Sequence, residues 1–339
     1  MLISVQALRA LAAWVVVFHH VMQVFFDFKA DSFMGALFAD KGAVGVDIFF
    51  VISGLVIYLS TQGKSITPWR FMLHRALRIV PAYWLYSLIA ALIIAFANPV
   101  MPVQEFDLQH LMLSLLFIPA QNPAGFGLYP TLNVGWTLNY EMFFYLLFAL
   151  AFTVPERFRL LLITVTLMFF GVLATQPWIS DFYRNSIVYE FLFGVLLGMC
   201  YNRGWIRQGL WLPLLLIAGC MLAIYHLDNS MRLLHWGVPS ALIVAACLAM
   251  EPWFKDNRVL ARLGDCSYSV YLVHVIVLSL GWYLQASLDL NPYWVIAACV
   301  PVIALASWAS YELVEKRFFL QAKAWVAERG GAQRVQPLS

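Results

Sequence analysis

Residues 8–20, LRALAAWVVVFHH, decide the fold: they are the first half of an apolar helix that nevertheless holds Arg9, His19 and His20. Eleven residues separate Arg9 from His20, which at 3.6 residues per turn puts them about 20° from the same face and roughly 16 Å apart along the axis. His19 points about 80° away from Arg9. The apolar run extends from about residue 3 to 26, long enough to cross a bilayer. An ionisable side chain within hydrocarbon costs about 3 kcal/mol or more. This face therefore lines a cavity, or else Arg9 snorkels to the headgroups and His20 bonds to a neighbouring helix. No basic region precedes the run and no cleavage site follows it, so a retained helix is expected rather than a signal peptide.

The same pattern recurs along the 339 residues, of which 63% are hydrophobic and 12% charged, about half the charge of a soluble domain. Apolar runs fall near 3–26, 38–60, 79–97, 134–152, 158–175, 187–202, 209–227, 234–250, 267–286 and 293–314. Their length excludes an outer-membrane barrel and predicts an all-α, polytopic membrane protein with ten spans. Residues 110–120 are too short to span, and sit in a connection, 98–133, with five prolines. That connection is a candidate lid or site-forming segment. With the N-terminus in the cytoplasm, 17 of the 21 Lys and Arg residues fall on the cytoplasmic side and 4 opposite, which supports N-in, C-in. The expected layout is one transmembrane domain, 1–318, and a short cytoplasmic tail, 319–339. A net charge of +3 gives no reason to expect a nucleic-acid partner. The five cysteines read as small core hydrophobes, and no metal-ligand cluster, Walker loop, dinucleotide fingerprint or nucleophile elbow is present.

Polar islands interrupt the spans. In FMLHRALRIVPAYW (71–84), Arg75 and Arg78 share a helix face beside His74. Paired guanidinium forks suit phosphate, although positive-inside anchoring or anionic lipid accounts for them equally. Glu141 lies within NVGWTLNYEMFFYLLF (133–148), where it either orients a histidine or balances a buried arginine. Asp47 enters the second span, and Ser53 and Gly54 permit close helix approach. Tyr268, Tyr271 and His274 follow one another at spacing three, on a site face or an interfacial aromatic belt.

Taken in order, these islands closely resemble the membrane-bound acyltransferase-3 family, and within it the short exopolysaccharide and O-antigen O-acetyltransferases. The resemblance runs from about residue 3 to 318. Arg9 and His20 match the family's opening Arg–His pair, and Gly45 to Gly54 its GVDxFFxxSG stretch. Arg75, Arg78 and Pro81 match its RxxR pair before a proline. Trp136, Thr137, Leu138 and Glu141 match WTLxxE, and Ser267 to His274 match SYxxYLxH. The resemblance implies transfer of an acyl group, commonly acetyl, from cytoplasmic acyl-CoA to a sugar hydroxyl of a glycan or lipid-linked oligosaccharide. Acetyl-CoA is then a substrate rather than a resident cofactor. It further implies a multi-pass protein of the bacterial inner membrane that works beside polysaccharide-assembly proteins. No soluble esterase-like domain, which some members carry, is expected after the tenth span. On this reading Arg9, Arg75 and Arg78 hold the donor phosphates and His20 is the general base. Glu141 orients His20, while Asp47, Trp136, Tyr271 and His274 meet the acceptor. An extended pantetheine arm is of the length needed to bridge Arg9 and His20. A transporter or flippase for a lipid-linked sugar or small acid would also explain intramembrane charge, and a non-catalytic sensor is a third reading.

Overall fold

The opening run is one uninterrupted helix, α1 (Ile3–Phe26), which stops where Asp27 turns left-handed at φ 50°. The computed structural model describes residues 2–64, 66–318 and 320; the expected tail, 319–339, lies outside the described residues apart from Leu320. After α1 the chain makes α2 (Phe33–Lys41), α3 (Val44–Thr61), α4 (Pro68–Phe96) and the short α5 (Leu108–Leu115). It continues with α6 (Trp136–Leu150), α7 (Glu156–Leu173), α8 (Glu190–Asn202), α9 (Trp211–His226) and α10 (Val238–Ala249). A single turn, α11 (Glu251–Phe254), leads to the long α12 (Arg258–Leu288) and to α13 (Pro292–Ser310). Each of the ten apolar runs falls on helix, and no strand occurs among the described residues. Six helices are long and apolar enough to cross a membrane, and three shorter apolar ones cover 186–202, 211–226 and 233–249.

Three boundaries differ from those expected from hydropathy. The run at 38–60 is broken at Gly42 and Ala43 into α2 and α3. The third apolar helix starts at Pro68 rather than 79, with Thr67 Oγ1 accepting from Arg70 N–H at 3.4 Å. It runs straight through Arg75, Arg78 and Pro81, so the arginine pair sits inside the helix and not ahead of it. The ninth begins at Arg258 rather than 267, where Asn257 Oδ1 caps the N–H groups of Val259 and Leu260. In both cases charged side chains mask helical turns from a hydropathy window, although Arg, Leu, Met and Ala are good helix formers.

Contacts between connections fix how the helices alternate. Glu251 Oε1 and Oε2 accept from the Ile3 and Ser4 N–H groups at 2.8 Å, and Glu156 meets Gly63 N–H at 3.4 Å. These residues form one end of the bundle, hereafter the basic end. At the other end Lys41 Nζ donates to Leu227 O at 2.7 Å. Two pairings organise the interior, α1 along α12 and α3 along α8. At the second the backbones touch: a Cβ on Gly54 would lie 2.0 Å from Phe191 O, and one on Gly194 2.0 Å from Val51 O. Small residues are what permit such close approach in membrane helices. The connection 97–132 folds back onto α4, where Tyr83 Oη donates to Ser114 O at 3.0 Å and Trp84 Nε1 to Leu115 O at 2.8 Å.

Gly194→Ala therefore pushes α3 and α8 apart, at about 1–3 kcal/mol or more. Thermal unfolding in detergent should show a clearly lower Tm. Gly219→Ala on α9, where nothing lies within 4 Å of the added carbon, should leave Tm unchanged or slightly raised.

Candidate active site

His20 is held by two contacts on Nδ1, one to Val16 O and one to His274 Nε2, each 3.0 Å. His274 is fully buried, and its own Nδ1 lies 3.0 Å from Val270 O. A carbonyl only accepts, so His274 Nδ1 carries its proton and Nε2 presents a lone pair. His20 Nδ1 must then donate, to His274 and to Val16 together, which leaves His20 Nε2 as a lone pair. The hydrogen-bond pattern thus assigns the tautomer of both rings. The residue that orients His20 is His274. Glu141 does not bond to it: Glu141 Oε1 accepts from Ser53 Oγ at 2.7 Å and from Tyr145 Oη at 2.5 Å.

Two cavities flank this pair. A narrow one of about 80 Å³ lies toward the basic end, lined by Arg9, Arg75, Arg78, Glu141, Tyr145 and Tyr268 among others. Arg9 is 9% exposed, and its Nη1 donates to Gln6 Oε1 at 3.2 Å. Gln6 is itself tied to Asp265. Arg75 Nη2 donates to Ser60 Oγ at 2.7 Å, and its guanidinium lies 5.4 Å and 5.7 Å from the ring centroids of Phe71 and Tyr145. Three guanidinium groups against one lining carboxylate make a cationic slot, the charge pattern that phosphate needs.

The second cavity, of about 710 Å³, lies toward the other end. His19, His20, Trp136 and Arg232 line it, with residues 100–104, Phe126 and Tyr129 of the long connection. That connection forms part of the site, as its proline content suggested. Val46 and Tyr271 belong to the walls of both cavities. Tyr271 Oη donates to Val134 O and shares a hydrogen bond with Thr137 Oγ1, both at 2.9 Å, which pins the ring between them.

Asp47 and His274, expected to meet a substrate, line neither cavity; both are fully buried behind the walls. Asp47 grips Arg232, with Oδ1 3.0 Å from Nε and Oδ2 2.8 Å from Nη2. In the charge count Arg232 is simply one of the four cations opposite the cytoplasmic side. The available signal was the pair of carboxylates within apolar runs, Asp47 and Glu190, which require a partner. Tyr268 Oη donates to Ile79 O at 2.8 Å, so the Tyr268, Tyr271 and His274 face points inward and is not a lipid-facing belt.

The model of the acyltransferase-3 family, described as an acyltransferase domain, matches residues 2–311. The exopolysaccharide production protein ExoZ of Rhizobium meliloti is 31% identical over 87% of this chain and 95% of its own length. The acyltransferase MdmB of Streptomyces mycarofaciens is 26% identical over 83% of this chain and 80% of its own. Nodulation protein 10 of Rhizobium leguminosarum bv. viciae is 26% identical over 80% and 81%. No solved structure matches.

Asp47→Ala should lower Tm sharply, because removing one partner of a buried pair costs about 3–5 kcal/mol. Arg232 retains 23% of its side-chain exposure, so the lower figure applies. Asp47→Asn combined with Arg232→Gln, which removes both charges of the pair together, should recover most of the loss in the same unfolding assay.

Proposed function

The chain belongs to the acyltransferase-3 family, and we propose that it transfers an acetyl group from acetyl-CoA to a sugar hydroxyl of a cell-surface or lipid-linked polysaccharide. The observation that carries this reading is His20: a ring with its lone pair assigned to Nε2, on the wall of a large cavity, next to a cationic slot that shares two wall residues with that cavity. The similarity to an exopolysaccharide production protein supports the acceptor class. Several apolar helices support a multi-pass membrane protein. In the proposed topology all ten apolar helices cross the inner membrane, both chain ends are cytoplasmic, and the basic end faces the acetyl-CoA pool.

In this scheme Arg9, Arg75 and Arg78 hold the CoA phosphates, and Glu141 spaces and partly neutralises the three guanidinium groups. The pantetheine arm passes between Val46 and Tyr271. His20 Nε2 takes the proton of the sugar hydroxyl as its oxygen attacks the thioester carbonyl, forming C–O. Collapse of the tetrahedral intermediate breaks C–S, and the thiolate takes the proton back from His20, giving the acetylated sugar and free CoA. His274 Nε2 keeps its bond to His20 Nδ1–H throughout, fixing the tautomer as the carboxylate does in a Ser–His–Asp triad. His274 is a positioning residue here rather than an acceptor contact.

The test is CoA release by purified protein with acetyl-CoA and a membrane glycan fraction from a strain lacking the gene. Wild type should turn over, and His20→Ala should lose about 10²–10⁴-fold while still binding CoA. Binding without turnover in the wild type would favour a transporter, and full activity in His20→Ala would remove the base.

Arg75→Ala and Arg78→Ala should chiefly raise the KM for acetyl-CoA. Lysine at either position should restore it only in part, since a point charge lacks the fork. A change confined to kcat would place these arginines elsewhere in the reaction.

A further inference from the structure

We propose that Arg232 anchors a subsite for uncharged sugar hydroxyls in the larger cavity; the proposal rests on the acyl-transfer reading above. The guanidinium is immobilised on three sides. Asp47 takes Nε and Nη2 as a bidentate pair, Ala43 O accepts weakly from Nη2 at 3.4 Å, and the ring of Trp236 lies 5.2 Å beneath. Nη1 has no hydrogen-bond partner among the described residues, and the residue lines the cavity. A fork fixed in this way donates from a defined direction at little further entropic cost.

Around it the wall has the chemistry of a sugar site. Trp136 and Tyr129 stand with ring centroids 6.4 Å apart and present apolar faces. Gln23, Gln104 and Asn133 add amide donors and acceptors on the same wall. Rings that stack on C–H faces and polar groups that meet hydroxyls are how mostly apolar pockets fix a polar ligand.

Charge favours hydroxyls over an anionic group at this point. Arg232 is already matched by Asp47, and Glu190, fully buried, is near enough to interact with both. A Cβ on Gly237 would lie 2.8 Å from Glu190 Oε1, so the carboxyl packs directly against that glycine. The connections at this end carry eight acidic residues against four basic ones, a field that disfavours an anion's approach. Lys41, its Nζ 5.9 Å from the Trp236 ring, His19 and Tyr129 are further titratable groups near Arg232, and Asp27 and His20 line the same cavity.

The experiment measures two KM values in the CoA-release assay, one for acetyl-CoA and one for the membrane glycan fraction, at low and at high sodium chloride. The variants are the fold-compensated Arg232→Gln/Asp47→Asn and the single Arg232→Lys, which keeps Asp47 paired if the double variant does not fold. The glycan KM should rise about tenfold or more in the double variant and less in Arg232→Lys, while the acetyl-CoA KM stays within about twofold. The ratio of variant to wild-type glycan KM should be the same at both salt concentrations. An unchanged glycan KM, or an equal rise in the acetyl-CoA KM, overturns the subsite. A ratio that falls toward one at high salt overturns the hydroxyl assignment in favour of an anion. Absence of glycan-dependent CoA release in the wild type instead defeats the acyl-transfer reading itself, before Arg232 is in question.

Discussion

The lateral fit of α1 against α12 is the constraint on which the site depends. The two helices run in the same direction from the basic end. Gln6 sits against Gly264 and Asp265, His20 against His274, and Phe25 near Gly281. A Cβ on Gly264 would come within 2.5 Å of Gln6 O, so any other residue there moves the whole of α12. Ala13, Val17, Val21, Val270 and Leu278 fill the seam between the polar pairs. A histidine–histidine bond of 3.0 Å between residues 254 apart in sequence is set by this packing and by little else. A shift of one ångström along the seam would break it, and the tautomer of His20 would no longer be fixed.

The second organising fact is where charge is allowed to stand. Ionisable groups in an apolar bundle are tolerated where they face one another or a cavity, and here they are sorted into two groups. Arg9, Arg75, Arg78 and Glu141 meet around the narrow slot. Asp47 and Arg232 meet beside the wide cavity, with Glu190 near them. The lining of the slot has an excess of cations, whereas Asp47 and Arg232 beside the wide cavity pair one carboxylate with one guanidinium. The excess in the slot is the pattern that phosphates need; on the proposed acyl-transfer reading the donor's phosphates meet it while the acceptor sugar enters the wide cavity.

Much of this was legible in one dimension because it follows helical periodicity. The eleven-residue spacing of Arg9 and His20 places one at each cavity, and the i, i+3 spacing of Arg75 and Arg78 puts both on the slot. The run of three from Tyr268 to His274 turns every member inward. What periodicity does not carry is partnership between helices. Glu141 was matched to His20 because both were intramembrane and complementary, whereas the fold puts Ser53 and Tyr145 nearer to the carboxylate. Arg232 was counted as a loop cation because only the approach of α3 gives it Asp47, 185 residues away. Hydropathy also misplaced the starts of α4 and α12, since a charged turn inside a long helix resembles a loop to an averaging window.

Tyr271 relates the two groups of charge to the chemistry. Its ring is pinned to Val134 and Thr137 and stands in the walls of both cavities. A thioester that reached His20 through an open channel would be exposed to water as well as to a sugar, and hydrolysis would compete with transfer. A slot of about 80 Å³ beside a cavity of about 710 Å³ admits a slender arm and little else. On the proposed reading that narrowness would keep water from the thioester as the pantetheine arm passes. Asp47 and His274 lie behind the walls and hold Arg232 and His20 by hydrogen bonds, so that in the proposed reaction each of the two presents one fixed edge to the acceptor.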